Sequence, residues 1–230
     1  NYKMKQKFTI LFDLDDTLVD TAPDLMLAHN HVMKKFGYPT KSTEDIRNLV
    51  GKGAGALIGR SIWGQAKKEY HSVKDLEIKD QMSKEFINFY AKNIIKESTL
   101  INGVKEFLLW CKGQNISMAV CTNKQEHLSN DLLKKIGIYD FFEYVAGSNT
   151  FDYCKPDPRH LTNVVEILDG DLKKTIMIGD SETDANAAKA AEIPVILLEN
   201  GYTEKNTTEI YHNHLIKDFI GIEKIITKYL

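Results

Sequence analysis

Asp13 and Asp15 stand two residues apart at the end of Phe8-Thr9-Ile10-Leu11-Phe12, a short apolar run of β-branched and aromatic residues. In an extended chain, side chains two apart leave on the same side. Two carboxylates facing one way at the end of a buried strand repel, and each raises the other's pKa unless a cation lies between them. That arrangement suits a site that holds a divalent cation and attacks phosphorus. The competing account is an acidic strand-to-helix turn, with Thr21-Ala22-Pro23 opening the next helix. A single Asp would fit that account; the series Asp13-x-Asp15-x-Thr17 after an apolar run points to the site.

Three further polar groups follow expected strands. In open parallel sheets, ligands bind beyond the carboxyl ends of the strands, where strand order reverses. The apolar run at 116–121 leads into Thr122-Asn123-Lys124, and the run at 144–146 leads to a loop with Cys154-Lys155-Pro156-Asp157-Pro158. The run at 175–178 ends in Gly179-Asp180, followed by Ser181-Glu182-Thr183-Asp184. Each has an ordinary reading by itself, as a helix cap, a solvated loop lysine or a turn. Their joint occurrence at successive strand ends favours one shared pocket.

The elements that must position these groups follow from periodicity. Thr21-Ala22-Pro23-Asp24 carries a hydroxyl cap, an early Pro and an acid, a helix start. Leu25, Ala28, Val32, Met33 and Phe36 then recur at helical spacing up to Gly37. Ser42-x-x-Asp45 resembles a capping box, and a long helix is expected over roughly residues 75 to 96. No strand is expected between residues 21 and 96. Beyond Asn102, strand and helix alternate: helices near 104–110, 125–136, 158–168, 182–191 and 219–229, strands near 116–121, 144–146, 175–178 and 194–198. Alternation of this kind is the signature of an α/β doubly wound parallel sheet. The expected organisation is a discontinuous core, residues 1–20 and 97–230, with residues 21–96 inserted as an all-helical cap.

Composition narrows the function classes. The chain has 230 residues, 30 Lys and Arg against 32 Asp and Glu, and a formal net charge of −2, so no nucleic-acid or anionic-membrane surface is indicated. Its apolar runs fall far short of the roughly 18 residues of a membrane span. Residues 1 to 7 are polar and lysine-rich, without the apolar core of an export signal. Cys111, Cys121 and Cys154 are far apart and read as reduced thiols, which suits a cytoplasmic setting. The pairs His29-x-His31 and His212-x-His214 lack partners for a zinc site and read as surface positions.

The order Asp-x-Asp-x-Thr (13–17), Thr-Asn (122–123), Lys-Pro (155–156) and Gly-Asp-Ser-x-x-Asp (179–184) resembles the four motifs of the haloacid dehalogenase superfamily of phosphotransferases, over the whole chain. Phe12 to Leu25, Val50-Gly51-Lys52-Gly53 and Lys155-Pro156-Asp157-Pro158 are similar to its phosphoglycolate phosphatase branch. The resemblance implies a Rossmann-like core with a cap, Mg²⁺ as cofactor, and hydrolysis of a small phosphate monoester, with 2-phosphoglycolate leading. It implies Asp13 as the nucleophile that forms an aspartyl-phosphate, Asp15 as general acid and then base, and Thr17 as the residue that positions Asp15 and the backbone of the loop. Thr122 and Asn123 would bind phosphoryl oxygens and Lys155 would supply positive charge. Asp180 would hold the metal with Asp13 and the Asp15 carbonyl, and Asp184 would act through water or orient the ligands. Where many members have Gly, this chain has Asp16, expected to point away from the metal.

Gly51-Lys52-Gly53-Ala54-Gly55 lacks the Gly-Lys-[Ser/Thr] of a nucleotide-binding loop. It reads instead as a cap loop facing the site, with Lys52 the candidate contact for a substrate carboxylate and Arg60 a second. The alternatives within the same class are a capped phosphatase for a sugar phosphate, nucleotide or pyrophosphate, and a phosphomutase. The alternative from another class is a catalytically silent module that binds phosphorylated ligands. Receiver-type modules are about half this length and lack a cap.

Overall fold

The first strand, β1 (Thr9–Phe12), is buried along its whole length, as a β-branched and aromatic run in the middle of a parallel sheet must be. The computed structural model describes residues 6–50, 53–64, 71–199 and 206–230. After β1 the chain makes a tight turn into the two-residue β2 (Val19–Asp20) and leaves the sheet for a helical stretch with four α-helices among the described residues. These are α1 (Ala22–Phe36), α2 (Thr43–Arg47), α3 (Ala54–Trp63) and α4 (Val73–Lys92). It returns through β3 (Thr99–Leu100), then runs α5 (Val104–Gly113), β4 (Ser117–Cys121), α6 (Glu126–Ile136) and β5 (Tyr144–Ala146). The last part is α7 (Arg159–Ile167), β6 (Thr175–Gly179), α8 (Glu182–Ala190), β7 (Val195–Leu198), β8 (His214–Ile216) and α9 (Glu223–Thr227).

Six strands form one sheet in the order β5-β4-β1-β6-β7-β8, and every neighbouring pair in it is parallel. Side chains alternate between its faces. Leu11, Ala119, Cys121, Met177, Val195 and Leu197 face the layer that holds α7 and α8. Ile10, Phe12, Met118, Val120, Ile176 and Ile178 face α5, α6 and the C-terminal segment through Phe107, Leu132 and Phe219. This is the α/β doubly wound architecture read from the alternating pattern. After β1 the sheet grows outward through β4 and β5, then resumes on the other side with β6. Strand order therefore reverses about β1, and the carboxyl ends of β4, β1 and β6 open side by side.

The inserted helices are a helical cap with its own packing: α4 lies against α1 and α3, and α1 against α2. Local signals match their ends. Ser42 accepts a hydrogen bond from the Asp45 amide, Ser72 and Asp75 form a capping box, and Gly37 closes α1 with a left-handed φ of 77°. His29 is buried in the cap, its Nε2 2.6 Å from Ser61 Oγ, and is thus no surface position. Entry and exit are side by side, because β2 and β3 pair antiparallel, Asp20 opposite Thr99. Beside them the buried Asp24 carboxylate accepts from the amides of Lys96, Glu97 and Ser98 and from Ser98 Oγ, at 2.6 to 3.1 Å. The first turn of α1 is thereby tied to the segment that returns to the core.

Candidate active site

Β1 ends where its ladder does: the Asp13 amide still donates to Ile178 of β6 at 2.9 Å, and the chain then turns. Amides of Thr17, Leu18 and Val19 all donate to the Leu14 carbonyl, which pins Asp15 and Asp16 at the apex. Asp16 takes a left-handed φ of 58°, where glycine would be at less cost. Its carboxylate lies 3.4 Å from Arg47 of α2, whose guanidinium also grips Asp20 at 2.6 and 2.8 Å. Burial, offset in part by Arg47, pushes the Asp16 carboxyl up to about 8.

Beyond the ends of β1 and β6, Asp13, Asp180 and Asp184 bring carboxylate oxygens within 4.8 Å of one another. Lys155 reaches this group from the loop before α7, with Nζ 3.0 Å from Asp13 Oδ1 and 2.5 Å from Asp184 Oδ1. The Thr17 hydroxyl, expected to position Asp15, donates instead to Asp180 Oδ1 at 3.1 Å, so the turn after β1 and the end of β6 are joined. Asp184 Oδ2 accepts from the Asp180 and Ser181 amides and the Ser181 hydroxyl, the capping box of α8. Gly179 permits this fold-back: a Cβ there would sit 2.4 Å from Asp184 Oδ2. Both Asp184 oxygens are thus engaged with protein, while Asp13 lines the cavity between sheet and cap and Asp180 is the half-buried member of the group.

The electrostatics of this group call for a cation. Burial and then the Asp184 charge push the Asp13 carboxyl up to about 6, against the pull of Lys155. Burial, then Asp13 and Asp184, hold Asp180 well above the usual carboxylate range. Lys155 is buried, yet its two carboxylate partners outweigh desolvation and keep it charged. Were all three carboxylates ionised, one ammonium would leave two negative charges uncompensated. That excess, and the all-oxygen donor set, fit a hard divalent cation.

Asp13 and Asp15 open into a cavity between sheet and cap. The end of β4 supplies Thr122, Asn123 and Lys124; Asn123 Nδ2 donates to the Lys155 carbonyl at 2.8 Å, and Thr122 Oγ1 accepts from the Lys124 amide. The cap supplies Leu25, Val50, Gly53, Ala54, Leu57, Phe86 and Tyr90. Gly53, the N-cap of α3, has φ 87° and ψ 169°, a conformation open essentially only to glycine. A Cβ there would stand 3.2 Å from the Asn123 carbonyl, so the cap touches the core at this residue. α3 has no side-chain cap, and its first turn lines the cavity.

Of the residues singled out in the sequence, Asp13, Asp15, Thr122 and Asn123 line this cavity, and Thr17, Lys155, Asp180 and Asp184 adjoin it through the contacts above. Lys52 lies outside the described residues. Arg60 sits in the last turn of α3, whose cavity-lining residues are Ala54 and Leu57. The sequence reads Thr21 as a hydroxyl cap of α1, but its side chain makes no cap hydrogen bond and turns to Asp15 instead; Tyr90 and Lys124, given no role, complete the surroundings of Asp15. Thr21 Oγ1 donates to Asp15 Oδ1 at 2.6 Å, and Lys124 Nζ lies 2.9 Å from both Asp15 Oδ1 and Tyr90 Oη. Lys124 had a signal, since it follows Thr122-Asn123 directly; Tyr90 had none, being 34 positions away.

The sequence profile of haloacid dehalogenase-like hydrolases matches residues 10–198. A phosphoglycolate phosphatase of Caulobacter vibrioides is 37% identical over 216 residues, covering 94% of this chain and 89% of its own length. One of Mesorhizobium japonicum is 36% identical over 210 residues, 91% of this chain and 90% of its own. Among solved structures, that of a predicted phosphoglycolate phosphatase from Haemophilus somnus superposes with a TM-score of 0.86 at 30% identity, over 96% of this chain and 99% of the other.

Proposed function

The chain belongs to the haloacid dehalogenase-like hydrolases and is a phosphoric monoester hydrolase, and from this premise we propose that it converts 2-phosphoglycolate to glycolate and phosphate through an aspartyl-phosphate on Asp13. The carrying observation is that Asp13 and Asp15 line one cavity between sheet and cap, with the buried Lys155 ammonium 3.0 Å from Asp13.

In the first half-reaction an Asp13 oxygen attacks phosphorus and the ester P–O bond breaks. Its electron pair goes to the glycolate oxygen, which takes the Asp15 proton. Lys155, the Thr122 hydroxyl and the Asn123 amide stabilise the charge that spreads over the phosphoryl oxygens. In the second half-reaction water attacks the aspartyl-phosphate, gives its proton to Asp15, and releases phosphate from Asp13. Mg²⁺ would be held by Asp13, Asp180 and the Asp15 carbonyl, with Asp184 fixing Lys155 and the Asp180 backbone beside it. When bound, such an ion neutralises the carboxylate cluster and polarises the phosphoryl group.

The core groups act on the phosphoryl group alone, so choice among esters falls to the cap. Its cavity wall is apolar apart from Tyr90 and the uncapped first turn of α3, whose amides suit a second anion such as the glycolate carboxylate. The names of the relatives support the same substrate.

The test is phosphate release from a panel of phosphoglycolate, sugar phosphates, nucleoside monophosphates and pyrophosphate, with and without Mg²⁺. We expect phosphoglycolate to show the highest kcat/KM, chelation to silence the enzyme, and added Mg²⁺ to restore it. Asp13→Asn should lower turnover by at least about a thousandfold while leaving the fold intact. Preference for another ester would replace the substrate, and near-normal activity of Asp13→Asn would remove the covalent route.

A further inference from the structure

Lys124 is a buried ammonium with no place in the phosphoryl chemistry above. It stands at the end of β4, with its side chain 6% exposed, and bonds to a core carboxylate and to a cap hydroxyl at once. Taking an ammonium out of water is costly unless the pairing serves something that apolar packing would not. Around it the cavity wall sets Leu25, Val50, Leu57, Phe86 and Leu128 beside the polar strand-end groups Thr122, Asn123 and Gln125. Among the described cap residues lining the cavity, Tyr90 alone carries a polar side chain, and it points at Lys124.

The partners are arranged asymmetrically about Asp15. Lys124 Nζ and Thr21 Oγ1 both bind Oδ1, at 2.9 and 2.6 Å, and among the described residues Oδ2 takes no hydrogen bond. Oδ1 is therefore the held oxygen and Oδ2 the one left for the leaving group. We propose that Lys124 and Tyr90 are a positioning pair for Asp15: the ammonium, anchored on the cap's Tyr90 hydroxyl, fixes the carboxyl through Oδ1, so that Oδ2 is aimed for proton transfer only while α4 is docked on the core. The pair is electrostatically settled. Burial alone would lower the Lys124 pKa, but Asp15 and Tyr90 outweigh it and keep the amine charged. Burial pushes the Tyr90 hydroxyl up to about 12, so it remains a neutral acceptor. Undocking α4 removes one of the ammonium's two anchors and lets water reach the acid, so the chemistry waits for closure.

The inference rests on the acid role given to Asp15, and its test is built on leaving groups. An alkoxide needs a proton as it departs; p-nitrophenolate does not. Lys124→Met and Tyr90→Phe, in the full chain with Mg²⁺, are compared on phosphoglycolate, on 2-hydroxyethyl phosphate and on p-nitrophenyl phosphate. Circular dichroism and melting curves check that each variant is folded. On both alkyl esters we expect kcat/KM to fall about tenfold to hundredfold for Lys124→Met, and about threefold to tenfold for Tyr90→Phe. On p-nitrophenyl phosphate, kcat/KM should change less than about threefold. The double variant should lose no more than Lys124→Met alone, since the tyrosine acts through the lysine.

Equal loss on the aryl ester would make the pair merely structural. A loss confined to phosphoglycolate and expressed in KM would make Lys124 a contact for the substrate carboxylate. Full activity of both variants, or additive losses in the double variant, would also overturn the proposal. If Lys124→Met does not fold, Tyr90→Phe decides by the same leaving-group comparison. If the wild type ignores phosphoglycolate, the substrate reading fails, and the alkyl-against-aryl comparison still judges the pair on whichever alkyl phosphate is hydrolysed.

Discussion

His160, on α7, is wholly buried, and among the described residues neither ring nitrogen finds a well-formed hydrogen bond. Burial and then the nearby Lys155 ammonium push its pKa from the usual 6.5 down to about 4, although the Ala146 and Gly147 carbonyls pull the other way. As pH falls below 6.5 the unfolded chain takes up a proton that the folded chain refuses until about 4. Stability should drop across that window by roughly 1.4 kcal/mol for each pH unit, and level off below it. Asp13 acts in the opposite sense, since its raised pKa gives stability that is lost as pH rises through about 6. Urea titrations of wild type and His160→Leu separate the two: their stability difference should shift in the variant's favour as pH falls from 6.5 to 4. A difference that stays constant across that range would mean that His160 is protonated in the fold. At this scale the sequence was informative where chemistry is local. Asp13 and Asp15 are legible because acid follows an apolar run directly, although β1 ends at Phe12 and Asp15 lies in the turn beyond it and not on an extended strand of period two. The Lys124–Tyr90 contact depends on how a cap helix lands on a core loop, which no spacing encodes.

Helices and strands differ in how far they announce themselves. The capping signals at Ser42 and the alternation after Asn102 are local, and the corresponding elements formed. β2 and β3, two residues each, are too short for any period to register, and β8 at the sheet edge is only half buried, so its apolar signal is diluted. The C-terminal helix, expected over 219–229, is limited to Glu223–Thr227, with Phe219 serving instead as a core side chain stacked on Phe12. The start of α3 gives the prediction at this scale. Gly53→Ala would place a side chain in a glycine-only conformation against the Asn123 carbonyl, a strain of about 1–3 kcal/mol. The chain relieves it by drawing α3 back from the core, so kcat/KM on alkyl phosphates should fall at least about tenfold, with a smaller change in melting temperature. Unchanged kinetics in Gly53→Ala would show that contact between α3 and the Thr122-Asn123 loop is dispensable.

The whole molecule is a sheet domain and a helical cap joined at one narrow place. Asp24 is what closes that join, through three amides and a hydroxyl of residues 96–98. Asp24→Ala strands those donors and should cost about 2–4 kcal/mol; Asp24→Asn, which keeps one acceptor oxygen, should lose less. Hydrogen exchange reads the effect directly: the amides of Lys96, Glu97 and Ser98 should lose protection in Asp24→Ala while β1 and β6 keep theirs. Retained protection at those three amides would assign the closure to other contacts. That the cap is inserted was legible from a helical stretch interrupting a strand–helix alternation. That its two ends meet was not, because the Asp24 contacts span more than seventy positions.

The pairing of Asp20 with Thr99 also bears on descent. Because both ends of the inserted helices meet at one spot, the sheet experiences a long insertion as little more than a tight turn, and the entropy of closing that loop is met at the join. Recombination at these two adjacent points exchanges everything between them and leaves the strand order untouched. A lineage built this way can keep one set of reacting carboxylates unchanged while trading its helical segment as a cassette, so new substrates are acquired by exchange at the join and the chemistry is inherited whole.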